Sequence, residues 1–168
     1  MTTPDPLVSA TRAADLVAEL AARGQTVATA ESLTAGLLSA TIAGVPGASA
    51  VLRGGLIVYA TDLKATLADV DAGNLALDGP VSESTAAALA DGARVRCGAT
   101  WGLGLTGVAG PDDQDGRPPG TVYLGISGPG GISVSRPQVA GSRWDIRLGS
   151  VDAAVSGLLA RLLATSAL

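Results

Sequence analysis

The 168 residues include no Phe, and only two Trp and two Tyr, so the interior has to be built from Ala, Val, Leu and Ile. At 47% hydrophobic residues the chain has enough of these for one domain with a sizeable core. Its 23 Gly and nine Pro imply many tight turns and several places where backbone closely approaches a neighbour.

The patterning alternates helix and strand. Thr11 to Arg23 is amphipathic, with Ala13, Leu16, Val17 and Leu20 on one face and Gly24 as a stop. A short buried strand is expected over Gln25 to Ala30, then a turn at Glu31 and Ser32, then a helix from Thr34 to Ala43. A strand from Leu56 to Tyr59 follows the Gly54-Gly55 break, and a helix starts near Thr61. Ser82 caps a helix reaching Arg96, and Thr100 to Thr106 alternates as a strand. Thr121 to Ser127 and Ile132 to Ala140 make a hairpin about Gly128 to Gly131. Ser142, with Asp145 three residues on, opens a long last helix. No repeat or linker interrupts this order. The expected class is α/β: a three-layer α/β/α sandwich with a mixed, mostly parallel sheet of about five strands plus a hairpin. Residues 1–168 are expected to form a single domain, with residues 1–8 as a flexible tail.

Charge and composition narrow the function. The net charge of −4 opposes a nucleic-acid partner, which needs a basic face. No apolar run approaches the roughly 20 residues of a membrane span. Met1 to Asp5 lacks the basic start of a signal peptide. A lone Cys97 allows no intramolecular disulfide and fits a reducing compartment, so a cytoplasmic location is expected. There is no His. That removes Ser-His-Asp and Cys-His catalysis and most zinc sites, and no metal is expected. A nucleophile here must take its base from Lys, Tyr, Asp or Glu.

Several motifs each admit two readings. Gly102 to Gly107 matches G-x-G-x-x-G, but its glycines lie inside a strand and no helix follows, so a dinucleotide site is not expected. Asp112 to Gly116 lacks the ligand spacing and distal Glu of a calcium loop and reads as a solvated turn. Ser32 lies between a buried strand and a helix, where it is either an N-cap or a nucleophile beside free N–H groups. Tyr59 ends a strand, and Lys64, the one Lys in the chain, lies in the next helical turn. A partly buried Lys64 is the natural base for a Ser in a His-free chain. The alternative is a surface Lys paired with Asp62 or Asp69. Arg143 and Arg147, four apart, share a helix face and either hold a phosphate or pair with Asp145 or Asp152. The competing anion site is the loop from Thr106 to Gly110.

The motifs together resemble the CinA C-terminal family. Ala30-Glu31-Ser32-Leu33-Thr34-Ala35-Gly36 is similar to its A-E-S-C-T-G-G segment, and Val45-Pro46-Gly47-Ala48-Ser49 to its V-P-G-A-S loop. Gly54-Gly55 through Tyr59 to Lys64, Val81-Ser82-Glu83, Thr106 to Pro111 and Gly120-Thr121-Val122-Tyr123 follow in the family's order. The resemblance implies an amidohydrolase converting nicotinamide mononucleotide to nicotinic acid mononucleotide and ammonia. It implies Ser32 as nucleophile with Lys64 and Tyr59 as catalytic partners. Glu31, Thr34, Gly36, Thr106, Gly107, Ala109 and Gly110 are also expected to bind substrate, with Arg143 and Arg147 as candidates for the phosphate. A homo-oligomer, dimer or higher, is expected. No cofactor is expected, because hydrogen-bond donors suffice to polarise an amide carbonyl. The N-terminal pyrophosphatase-type domain of longer relatives is not expected at this length. Leu33 and Ala35 depart from the family's Cys and Gly, and Ala35 is expected to crowd the substrate. Such a domain could instead be a weakly catalytic nucleotide-binding or regulatory module, or an amidase for another pyridine nucleotide amide.

Overall fold

The computed structural model describes Thr3 and residues 5–165. Of the tail expected over 1–8, residues 1, 2 and 4 lie outside the described residues. Pro6–Ser9 (α1) is a helical turn whose cap, Asp5, accepts the Leu7 N–H at 2.8 Å. The elements α2 (Ala13–Ala22), β1 (Val27–Glu31), α3 (Leu37–Ala43) and β2 (Leu52–Ile57) follow. Next come α4 (Thr61–Ala68), α5 (Ala72–Asp78), α6 (Glu83–Arg96) and β3 (Trp101–Gly107). The chain closes with β4 (Val122–Gly128), β5 (Gly131–Ser135) and α7 (Arg143–Thr165).

The sheet order is β2-β1-β3-β4-β5. β1 pairs parallel with both β2 and β3, β4 runs antiparallel to β3, and β5 antiparallel to β4. Four of the five strands therefore point one way, and the expected hairpin supplies two of the five. One face of the sheet packs Leu103, Leu105, Leu124 and Ile126 against α2, α3 and α7. The other packs Ala28 and Ala30 against Leu89 and Ala93 of α6 and Ala68 of α4. This gives the three-layer sandwich. The apolar stripe of α7, Val151, Val155, Leu158 and Leu162, is fully covered by this core.

The glycines of β3 have a packing role. A Cβ on Gly104 would lie 2.5 Å from Ala90 N and 2.6 Å from Ala86 O of α6. The small face of α6 thus lies directly on backbone, a close approach that a side chain would prevent.

Several boundaries differ from expectation, each for a local reason. β2 runs through Gly54 and Gly55, which pair with Ala28 and Thr29, and it stops before Tyr59. β5 ends at Ser135, because Pro137 offers no N–H to continue the ladder. α5, capped by the Asp71 carboxylate on Asn74 N–H at 2.9 Å, had no strong apolar period to announce it, and none of its residues is buried. α3 starts at Leu37 rather than Thr34: Ala35 and Gly36 take left-handed conformations, φ 48° and 95°, so residues 33–36 form a turn.

Between β1 and β2 the chain crosses by α3 on one face. Between β2 and β3 it crosses by α4 and α6 on the other. β1 is therefore the point where the winding reverses, and the ends of β1 and β3 diverge there into a crevice.

Candidate active site

That crevice is an open pocket of about 330 Å³. Ser32, at the end of β1, lies in its wall and is 9% exposed. Its N–H donates to Leu105 O at 2.9 Å, which anchors the nucleophile candidate to β3. Its hydroxyl is not a helix cap, since α3 begins five residues later and carries no side-chain cap from it.

Lys64 reaches the same wall from the first turns of α4 and is 2% exposed. Its Nζ donates to Val58 O at 2.8 Å and Tyr59 O at 3.3 Å, and lies within hydrogen-bond distance of Ser32 Oγ at 3.1 Å. No carboxylate pairs with it among the described residues; Asp69, a sequence-level alternative, pairs with Arg96. Burial brings the Lys64 amine down from 10.5 to about 8. A neutral amine fits these contacts, donating its two protons to the carbonyls and offering its lone pair to the Ser32 hydroxyl.

Tyr59 is placed differently from expectation. Its ring lines the pocket but is 56% exposed, and its phenol oxygen accepts from Arg143 Nη2 at 3.0 Å. What Tyr59 offers the Ser32–Lys64 pair is its backbone carbonyl. The strand ends two residues earlier than its pattern suggests, and this turns the side chain toward α7 instead of Ser32.

The two arginines separate. Arg143 lines the pocket, with Nη1 donating to Gly110 O at 2.5 Å. Arg147 instead donates to Leu33 O at 3.0 Å and Thr34 O at 3.2 Å, and lies 5.9 Å over the Trp144 ring. It braces the turn after Ser32 and does not line the pocket beside Arg143. Neither takes an acidic partner among the described residues: Asp145 is occupied with Ser142, whose N–H donates to Asp145 Oδ2 at 2.8 Å in the expected capping box.

Of the remaining expected residues, Thr106, Gly107, Ala109 and Gly110 line the pocket. Thr106 holds that edge in place by donating to Pro80 O at 2.5 Å. Glu31, Thr34 and Gly36 do not line it. Thr34 is fully buried under the Arg147 brace, and Gly36 is the left-handed residue that opens α3. Glu31 is fully buried, and its carboxylate accepts the N–H groups of Gly36, Leu38 and Ser39. Those are the helix-start donors that sequence reasoning offered to an oxyanion. The N–H groups of Leu33 and Thr34, which follow Ser32 directly, have no partner among the described residues. The Leu33–Thr34 peptide holds its carbonyl toward Arg147, so a trans geometry aims its N–H the opposite way. Sequence reading also missed Asp112 and Asp113 as pocket residues; their acidity beside the Thr106–Gly110 edge was the available signal.

Ala35 is not in the pocket wall. Its departure from glycine adds backbone strain in a left-handed turn, and the expected crowding of the substrate does not arise there.

Comparison with known proteins identifies the family and the fold. The family model described as the CinA C-terminal domain matches residues 9–162. A CinA-like protein of Frankia casuarinae is 48% identical over 145 residues, covering 86% of this chain and 33% of that protein. A CinA-like protein of Anaeromyxobacter is 50% identical over 133 residues, covering 79% of this chain and 32% of that protein. The chain thus spans about a third of the length of these curated relatives. Among solved structures, a CinA superfamily protein of Klebsiella pneumoniae aligns with a TM-score of 0.89 at 27% identity, covering 95% of this chain and 99% of that one. The competence/damage inducible protein CihA of Agrobacterium tumefaciens aligns with a TM-score of 0.86 at 30% identity, covering 95% and 98%.

Proposed function

Since this chain belongs to the CinA C-terminal domain family, we propose that it is an amidohydrolase that cleaves the carboxamide of nicotinamide mononucleotide. The observation that carries this reading is the 3.1 Å contact between a buried Lys64 amine and the Ser32 hydroxyl at the pocket wall. The choice of substrate comes from the family resemblance. A pocket of about 330 Å³ is in the range of small-molecule sites.

In the proposed reaction the neutral Lys64 amine takes the Ser32 proton directly. Ser32 Oγ forms a bond to the carboxamide carbon, and the carbonyl π pair moves onto oxygen. The Leu33 N–H, next to the nucleophile at the pocket wall, is the donor for that oxyanion. As the oxygen pair returns, the C–N bond breaks and Lys64 passes its proton to the nitrogen, which leaves as ammonia. The nicotinoyl ester on Ser32 remains. Lys64, neutral again, deprotonates a water that attacks the ester, and the same proton then restores the Ser32 hydroxyl. Arg143 and the Thr106–Gly110 edge are the groups available to the ribose phosphate. Tyr59, held by Arg143, closes the rim and leaves proton transfer to Lys64 alone.

The test compares ammonia release from nicotinamide, its riboside and its mononucleotide. Turnover of the mononucleotide, with nicotinic acid mononucleotide formed in equal amount, is expected. The strained Ala35 favours a second reading, a binding module that has lost turnover. A raised Tm with the mononucleotide but no ammonia would select it.

A further inference from the structure

Glu31 is a carboxylate in the middle of the protein, next in sequence to the nucleophile, and the reaction above does not use it. It is fully buried and no ion pair involves it among the described residues. A carboxylate without a cation needs dense hydrogen bonding to be tolerated in such a place. Glu31 has it. Oε1 accepts from Thr29 Oγ1 at 3.0 Å, Ser39 N at 2.8 Å and Ser39 Oγ at 2.9 Å. Oε2 accepts from Gly36 N and Leu38 N, both at 3.0 Å.

Four of these five donors, on Gly36, Leu38 and Ser39, lie on the far side of the turn that begins with Ser32. The side chain of residue 31 therefore ties the last position of β1 to the first turn of α3 and closes the 32–36 loop at its root. That loop contains two successive left-handed residues, Ala35 and Gly36, a conformation a free chain does not keep. We propose that Glu31 is a positioning residue: it fixes the turn so that Ser32 Oγ meets Lys64 and the Leu33 N–H stays unpaired for the oxyanion. By taking up the N–H groups at the start of α3, it leaves the Leu33 N–H as the donor beside the nucleophile. This rests on the reading of Ser32 as nucleophile.

The chemistry of the side chain makes the proposal testable. All five contacts need an acceptor, and an ionised carboxylate is acceptor-only. Glu31→Gln keeps the size but points an NH2 group at donors, so one side of the clamp opens. Glu31→Asp keeps both oxygens but draws them back by one methylene.

The experiment measures kcat and KM on nicotinamide mononucleotide for the full chain, with Tm and circular dichroism as checks of folding. Folded Glu31→Gln is expected to lose about 30-fold or more in kcat with KM within about threefold, because small misplacements of reacting groups cost about that much or more. Glu31→Asp should recover part of the loss. A folded Glu31→Gln with kcat within about threefold of wild type overturns the proposal, and so does a rise in KM alone, which would mean contact with substrate. Should Glu31→Gln not fold, Ser39→Ala decides. It removes one hydroxyl donor while keeping the Ser39 N–H contact, and a several-fold fall in kcat at constant KM supports the proposal, whereas an unchanged kcat overturns it. A wild-type chain that releases no ammonia defeats the amidohydrolase reading and this inference with it. An active wild type with an indifferent Glu31→Gln defeats this inference alone.

Discussion

Lys64 can be isolated from the rest of the protein by its titration. Burial takes its amine from 10.5 to about 8. A fall of that size corresponds to about 3 kcal/mol. Below about pH 8 both the folded and the unfolded chain carry the proton, and the folded state bears the full cost of the buried cation. Between about 8 and 10.5 the unfolded chain binds more protons, so stability rises with pH; above that range the cost is gone. Lys64→Met keeps an unbranched side chain of similar size and cannot titrate. It also deprives the Val58 and Tyr59 carbonyls of a donor. That loss, about 1–3 kcal/mol per carbonyl at most, does not depend on pH. The quantity to measure is therefore the gap between wild type and variant across pH, where the constant part cancels. Urea unfolding at pH 7 and pH 10 should show the wild type gaining about 2–3 kcal/mol relative to Lys64→Met over that interval. Wild-type kcat/KM should climb through about pH 8 in the same range, since the neutral amine is the base. Two parallel stability profiles would refute a desolvated Lys64, and a rate that falls through pH 8 would refute its role as base.

Three further outcomes follow from particular contacts. Arg147→Ala should lower kcat/KM by similar factors on the mononucleotide and the riboside, because Arg147 holds the Leu33 and Thr34 carbonyls; Arg143→Ala should hurt the mononucleotide more. A selective loss of the mononucleotide in Arg147→Ala would contradict this division. Ala35→Gly relieves a left-handed alanine and should raise the urea midpoint, by up to about 1 kcal/mol of stability; a lower midpoint would show that the turn carries no strain there. Exhaustive EDTA treatment should leave the rate unchanged, since the chain has no His and one Cys. Activity lost and then restored by a divalent ion would show that carboxylates such as Asp112 and Asp113 hold a required metal.

The central pair was legible in the sequence because each member is a singular feature. Ser32 follows a buried strand at a turn, and Lys64 is the one Lys in the chain, placed just past another strand. The sandwich was legible from alternating helix and strand patterns, and so was the place of the G-x-G-x-x-G glycines inside a strand. Spacing misled where reach matters more than register. Arg143 and Arg147 do share a helical face, yet their long side chains take partners 33 and 114 residues away, on different loops. The start of α3 was hidden because Ser32 is a favoured cap residue, while the capping is done by the buried carboxylate of Glu31. No local rule has a strand residue reaching forward to cap the next helix from inside. The placement of Tyr59 was harder to read: its strand runs through two glycines that look like a break and ends at Ile57, leaving the Tyr59 ring half-exposed beside Arg143.

Covalent catalysis at this site depends most directly on the hydroxyl of Ser32. Wild type and Ser32→Ala should be compared for ammonia release from nicotinamide mononucleotide near pH 8, with substrate-induced Tm shifts recorded for both. Ser32→Ala is expected to fold and bind the nucleotide but to lose turnover by several orders of magnitude, as removal of a nucleophile does. A Ser32→Ala chain that keeps more than about a tenth of wild-type turnover would contradict covalent catalysis at this site.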